Sequence, residues 1–275
     1  MSVVERNFDR HADAARMLTA PTQLSADTGP SRGREGPGRR TTPLYIVCSP
    51  QRAVGKTMLA RLLAEFYLTD GRPVAAFDLA DEGPQLADFL PRSTTIADIG
   101  DARGQMALFD QIIADRQATK IIDVSRRTFK DFFTVADKIG FFEEARRQAI
   151  EPLILFMVDP SPKSANAYAI LRRWFTQASL LPVRNHTVAK GIPYCAAFPN
   201  ESAVSVSLEI PLLPASLKPL IEQQTFSFAQ FWRSTPTSLS ERLDDELRGW
   251  IKRVFLQFRE IELWLICEQI MSSLK

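Results

Sequence analysis

Histidine, cysteine and net charge are what this chain has least of, and each scarcity narrows its chemistry. His11 and His186 are the only histidines in 275 residues, which argues against a His-based metal centre or a His-dependent triad. The three cysteines, Cys48, Cys195 and Cys267, are odd in number, far apart and each set in an apolar stretch. They lack metal-ligand spacing, so buried thiols in a reducing compartment are expected. Basic and acidic residues nearly balance, 34 against 32, so any surface for nucleic acid or membrane has to be local. No uncharged run comes near the roughly eighteen apolar residues of a spanning helix, and no apolar signal region opens the chain. A cytoplasmic protein without a transmembrane segment is the expectation. With 45% hydrophobic residues, the chain can bury a full core in one large domain with appendages.

Three regions follow from the order of residues. Residues 1–42 read as a segment without a core: Val3–Leu18 has a weak helical stripe, and Ala20–Thr42 is a Pro, Gly, Ser and Arg-rich linker expected to be disordered. Residues 43–215 alternate short apolar strands with helical patterns. Strands are expected at Leu44–Cys48, Val74–Asp78, Thr119–Val124, Pro152–Val158, Leu181–Val188 and Ser205–Ile210. Helices are expected at Lys56–Leu68, Arg103–Arg116, Phe129–Ala149 with a break near Gly140, and Ser164–Gln177. That alternation predicts an α/β fold, a mostly parallel sheet with helices on both faces. Residues 216–275 change to helix alone. Two short segments precede a long amphipathic helix over Leu239–Leu274, with Leu247, Trp250, Val254, Phe258, Ile261 and Leu265 on one stripe. Ile251, Phe255, Leu263, Trp264 and Ile266 fall off that stripe. A C-terminal extension packed on the domain, and a second contact with a homodimer or protein partner, are both compatible with this pattern.

The stretch Leu44–Leu59, LYIVCSPQRAVGKTML, carries the chemistry. A strand, a loop and Gly55-Lys56-Thr57 at the start of a helix form the layout of a phosphate-binding loop. The first N–H groups of a helix have no intrahelical partner, and the helix dipole favours negative charge there. Gln51, Arg52, Ala53, Val54, Gly55, Lys56, Thr57 and Met58 are therefore the candidate nucleotide-binding residues. In this layout Lys56 reaches the phosphates and Thr57 ligates Mg²⁺. Pro50 stands where the ordinary pattern has glycine. Asp78, Asp123 and Asp159 all follow strands, at the end of a parallel sheet where ligands bind. Asp123, after Lys120-Ile121-Ile122, is the candidate second Mg²⁺ ligand; Asp78 is a candidate catalytic acid, and Asp159 before Pro160 reads as a turn residue.

The segment SPQRAVGKTMLARLLAEF resembles the deviant Walker A segment of the ParA/MinD (CobQ/CobB/MinD/ParA) family of P-loop ATPases, (S/N)-(P/Q)-K-G-G-V-G-K-T. Ser49, Pro50, Val54, Gly55, Lys56 and Thr57 match it, and that family does not need glycine at Pro50. The resemblance extends through VAAFD, KIIDVS, LILFMVDPSPKSANAYAILRRW, LPVRN and EIPLLP, about Leu44–Phe231. It implies a Mg-ATP/ADP-binding switch that acts in DNA or plasmid partition, conjugation or cargo positioning. It implies Lys56, Asp78 and Asp123 as catalytic residues, Thr57 and Asp123 as metal ligands, Asn185 at the adenine-recognising position and the Pro211 loop beside the base.

The departures are specific. The family's signature lysine, which crosses a dimer interface, falls on Gln51, and its two glycines fall on Arg52 and Ala53. The second acid of its D-x-D element falls on Ala80, with Asp81 one residue late. Nucleotide binding is thus expected to persist better than turnover, leaving an ATPase activity open. Arg52 is a candidate arginine finger or a solvated loop residue. Two alternatives stand beside the switch: a non-hydrolysing nucleotide-binding scaffold, and an ATP-dependent ligase of similar fold. Arg126, Arg127 and Lys130, Arg146 with Arg147, and Arg172 with Arg173 beside Trp174 are the candidate contacts for nonspecific DNA.

Overall fold

The computed structural model describes residues 41–79, 85–188, 198–199, 208–234 and 240–273. The helix expected at Val3–Leu18, the linker expected at Ala20–Thr42 up to residue 40, Ala80 and Asp81, Cys195, Leu239 and the first part of the strand expected at Ser205–Ile210 lie outside these residues; Thr42, at the end of the expected linker, instead begins the first strand.

Short apolar strands separated by helices have to run parallel, because each connection crosses the sheet and returns on the same side. Seven do so here: β1 (Thr42–Cys48), β2 (Val74–Asp78), β3 (Thr94–Ile96), β4 (Thr119–Asp123), β5 (Ile150–Met157), β6 (Ser179–Asn185) and β7 (Leu208–Ile210). They form one sheet in the order β3-β2-β4-β1-β5-β6-β7, and every neighbouring pair is parallel. β1 lies at the centre, and its alternating side chains feed two cores. Tyr45 and Val47 point into one, Leu44, Ile46 and Cys48 into the other. Burial on both faces explains why this strand reads as a continuous apolar run.

The first core is roofed by α1 (Lys56–Thr69), α7 (Lys218–Ile221), α8 (Phe228–Arg233) and the 33-residue α9 (Glu241–Ser273). The second is roofed by α3 (Ala102–Ala114), α4 (Phe129–Lys138), α5 (Phe141–Arg147) and α6 (Pro162–Trp174). Gly140 breaks α4 from α5 with φ 62, a left-handed turn that glycine adopts without steric cost. The four-residue α2 (Leu86–Phe89) falls in Asp81–Pro91, a loop with a helical-turn signal in sequence, and β3 follows it without such a signal. All described residues fall within one compact unit, Arg39–Lys275.

The C-terminal helices pack on the domain. Leu247, Trp250, Val254, Phe258 and Ile261 of the expected stripe are buried, and so are Ile251, Phe255 and Trp264 from outside it. Gln257 fastens α9 to the edge strand β7: its Oε1 accepts from Glu209 N at 2.6 Å and its Nε2 donates to Glu209 O at 2.7 Å. One side-chain amide thus meets the backbone groups that an edge strand otherwise offers to a foreign strand. Cys48 is buried as expected, whereas Cys267 is exposed, because α9 beyond Trp264 turns most of its side chains to solvent. No helix among the described residues is long and apolar enough to cross a membrane.

Helix α1 is so enclosed that Arg61 and Glu65 are 1% and 0% exposed. They pair at 2.9 Å, and the remaining polar atoms find partners in the C-terminal segment. Arg61 donates to Ile221 O and Phe226 O; Glu65 accepts from Ser227 Oγ and Ala229 N. Phe89, Phe226 and Phe228 face the guanidinium. Removing one member strands a buried charge, so Arg61→Ala should lower stability by about 3–5 kcal/mol. The double substitution Arg61→Met with Glu65→Leu should recover most of that loss. Urea unfolding followed by far-UV circular dichroism checks both.

Candidate functional site

The site forms where β1, β4 and β2 end side by side. Val47 is paired with Asp123 in register, and Asp123 with Asp78, which brings both carboxylates beneath the loop from Ser49 to Gly55. That loop turns back through Ala53 (φ 54) and Gly55 (φ 96) to start α1. Gly55 is required there on two counts. Its φ lies in the left-handed region, and a Cβ would sit 2.5 Å from Asn185 Nδ2. Ala53 carries the same conformation without glycine's freedom, a strain of the kind that collects at binding loops.

Polar groups of the loop are held by one another. Lys56 Nζ donates to Gln51 O at 2.8 Å, and Thr57 Oγ1 donates to Asp123 Oδ2 at 2.6 Å. Asn185, the last residue of β6, donates from Nδ2 to Val54 O at 3.0 Å and accepts at Oδ1 from Thr187 N. Its amide braces the loop backbone. Gln51 Nε2 donates to Ser161 Oγ at 2.8 Å, tying the loop to the N-cap of α6 within the same chain. Val54 is buried, Met58 packs against the first core, and Arg52 and Ala53 are exposed.

Charge is balanced by proximity here. Burial pushes the Asp123 carboxyl up to about 6; the Thr57 hydrogen bond and Lys56 oppose this, and Asp78 adds to it. Burial likewise lowers Lys56, opposed by Asp123, while Arg126 contributes further lowering as a nearby like charge. Asp78 is fully buried and accepts from Ala87 N at the start of α2 through Oδ2. Asp159 makes the expected turn, accepting from Ser161 N at 2.9 Å. Its Oδ2 and Ser164 Oγ, both buried, have no hydrogen-bond partner among the described residues.

The structure therefore brings Gln51–Met58, Asp78, Asp123 and Asn185 together and leaves Pro211 further out. Pro211 O accepts from Trp250 Nε1 at 3.1 Å, and the residue lines a groove of ≈ 580 Å³ with His186, Glu209, Arg253 and Leu256. Ser161 was not foreseeable: a serine ahead of a helix signals a cap, and nothing in its spacing points to Gln51. Among the candidate DNA contacts, Arg146 pairs with Glu151 and Arg147 with Glu143 and Glu144. Arg126, Arg127, Lys130, Arg172, Arg173 and Trp174 are exposed.

The donor set fits a magnesium-bound polyphosphate. No group of three or more His, Cys, Asp or Glu residues suited to a metal occurs among the described residues. One hydroxyl and one carboxylate match the habit of Mg²⁺, which keeps waters and phosphate oxygens as its other ligands. Thr57 and Asp123 would hold the ion; Lys56 and the N–H groups opening α1 would meet phosphate oxygens. No protein-family model matches the chain, and no curated protein matches it.

A raised Asp123 has a stability signature of definite sign. Its folded value near 6 exceeds the 3.8 of the unfolded chain, so the contribution is complete below about pH 4 and is lost as pH rises through 6. Relative to Asp123→Asn, the native chain should therefore lose up to about 3 kcal/mol between pH 4 and 7 in metal-free buffer. Urea unfolding at several pH values checks this; a constant difference would refute the assignment.

Proposed function

We propose that this chain is a ParA/MinD-like nucleotide-binding switch that takes up Mg-ATP and Mg-ADP. Its setting would be DNA or plasmid partition, conjugation or cargo positioning. The supporting observation is the contact between Thr57 Oγ1 and Asp123 Oδ2 at 2.6 Å, with Lys56 beside it at the carboxyl ends of parallel strands. When bound, Mg²⁺ neutralises charge on the β- and γ-phosphates and polarises them. Lys56 exchanges the Gln51 carbonyl for phosphate oxygen. Asp123, ionised, orients the Thr57 hydroxyl, and Gly55 lets the loop backbone approach the phosphates without a Cβ in the way. Arg126 and Arg52 stand as further cations on the exposed side.

A second reading, nucleotide binding with little or no hydrolysis, is favoured by two observations. Gln51, at the place of the family's bridging lysine, is bonded within its own chain to Ser161. Asp78, the candidate acid for ordering water, has one oxygen committed to Ala87 N. Turnover on this reading is weak, and the nucleotide acts as a structural switch.

Calorimetric titration with Mg-ATP and Mg-ADP tests the proposal directly. The native chain should bind both, and Lys56→Ala should weaken ATP at least tenfold, about 1.4 kcal/mol. Absence of any nucleotide binding by the folded protein would end this reading. Arg52→Ala should weaken ATP more than ADP if it meets the γ-phosphate; equal effects would remove it from that role. Phosphate release by the native chain, with and without duplex DNA, then separates switch from scaffold.

A further inference from the structure

Helix α9 buries one side and turns an apolar line to solvent on the other. Leu256, Leu263 and Ile270 follow at seven-residue intervals and are 53%, 62% and 53% exposed; Ile266 and Met271 beside them are 52% and 60% exposed. Seven residues make two helical turns, so the three lie in one line roughly 21 Å long. Single exposed aliphatics are ordinary, whereas an aligned set marks an interaction surface. The line is symmetric about Leu263, with an aliphatic residue two turns before it and two turns after. At its N-terminal end lies the ≈ 580 Å³ groove, whose apolar floor is Pro211, Leu212 and Leu256. At its C-terminal end the last turns carry Ile270 and Met271.

The geometry points to a second copy of this chain as the occupant. Two α9 helices pair antiparallel about a two-fold axis at Leu263, and the Ile270–Met271 end of each enters the groove beside Leu256 of the other. A two-fold interface has to complement itself, and a symmetric line with a groove at one end and an apolar knob at the other does so. The size is sufficient. Five half-exposed aliphatic side chains amount to roughly 400–500 Å² per copy, the upper range for the largest patch on a monomer. With polar rims, two copies remove about 1,200 Å², the lower bound of standard interfaces. The charges flanking the line, Arg253, Arg259, Glu260 and Glu268, are of mixed sign, unlike the basic polar face of a membrane-surface helix. The seam runs from β7, where Gln257 binds Glu209, toward the start of β1, where Thr41 Oγ1 donates to Gln269 at 3.0 Å. It thus leads away from the phosphate-binding loop, and pairing needs neither nucleotide nor Lys56.

Sedimentation velocity of the full chain over micromolar concentrations tests this pairing. The native protein and Lys56→Ala should both dimerise, while Leu263→Glu should weaken association at least 100-fold with unchanged circular dichroism and thermal unfolding. In a Cys267→Ser background, Leu263→Cys should form an intermolecular disulfide on oxidation. The native Cys267 pair should not, since its members lie about 12 Å apart along the seam, beyond disulfide reach. A monomer at all concentrations overturns the inference, and so does a dimer indifferent to Leu263→Glu. A dimer lost in Lys56→Ala alone would place the contact at the loop instead. A monomer that co-sediments with phosphatidylserine vesicles, and ceases to in Leu263→Glu, would give the face to a membrane.

Discussion

The burial of helix α1 is the constraint from which the rest of the architecture follows. From Leu59 to Tyr67 every residue of that helix is buried, although it includes Arg61 and Glu65. A charged pair in that position survives only if each remaining donor and acceptor is met. The partners come from the stretch that runs from the end of α7 into α8, Ile221 to Ala229. The C-terminal helices are therefore an integral part of the α/β fold, because they complete the solvation of the helix that begins at Lys56. Movement of α1 on ligand binding would be felt first at Ile221, Phe226 and Ser227, and through them at α9. This is a contiguous path of packed and hydrogen-bonded groups, the physical precondition for coupling between sites.

The same economy governs the loop. Lys56, Thr57 and Asn185 are each bonded to protein groups, and the Asp123 carboxyl is raised toward its neutral form by burial. Each of these contacts is local and polar, so exchanging it for phosphate or metal leaves the backbone in place. Pre-organisation of this kind reduces the ordering cost of binding. The left-handed turns at Ala53 and Gly55 reverse the chain between β1 and α1.

Much of this was legible in the chain itself. Alternation of apolar runs with helical patterns specifies a parallel sheet, and Gly55-Lys56-Thr57 after a buried strand specifies where its ligand end lies. The break at Gly140 and the acids at Asp78 and Asp123 follow from the same rules. What was not legible depends on contacts between segments distant in sequence. β3 is three residues long, and Thr94–Ile96 becomes a strand only through its pairing with Ala76–Asp78. Arg61 and Glu65 lie one turn apart on α1, and it is their partners in the distant Ile221–Ala229 segment that make them interior. Cys267 read as buried because Leu265 and Ile266 flank it, yet the domain surface ends near Trp264. Gln51 and Ser161 are 110 residues apart, and neither residue type announces the other.

That last contact bears on the proposed switch. A lysine at the position of Gln51 carries its charge at the end of a long flexible stem and can reach a partner's phosphate. Glutamine is shorter and neutral, and here its amide is satisfied by Ser161 within its own chain. Moving it outward would leave Ser161 without that donor and offer a partner's nucleotide no charge in return. On the proposed reading, a dimer built face to face over two nucleotides would lack that electrostatic contribution at Gln51. The apolar line of α9 supplies an alternative whose driving force is burial of aliphatic surface, which needs no ligand and varies little with salt. If copies associate through that seam, nucleotide no longer decides whether the protein is a dimer. On the proposed reading, what would remain for nucleotide to change is the conformation of the loop and of α1, and Arg61 and Glu65 would carry that change to the helices from which the seam is made.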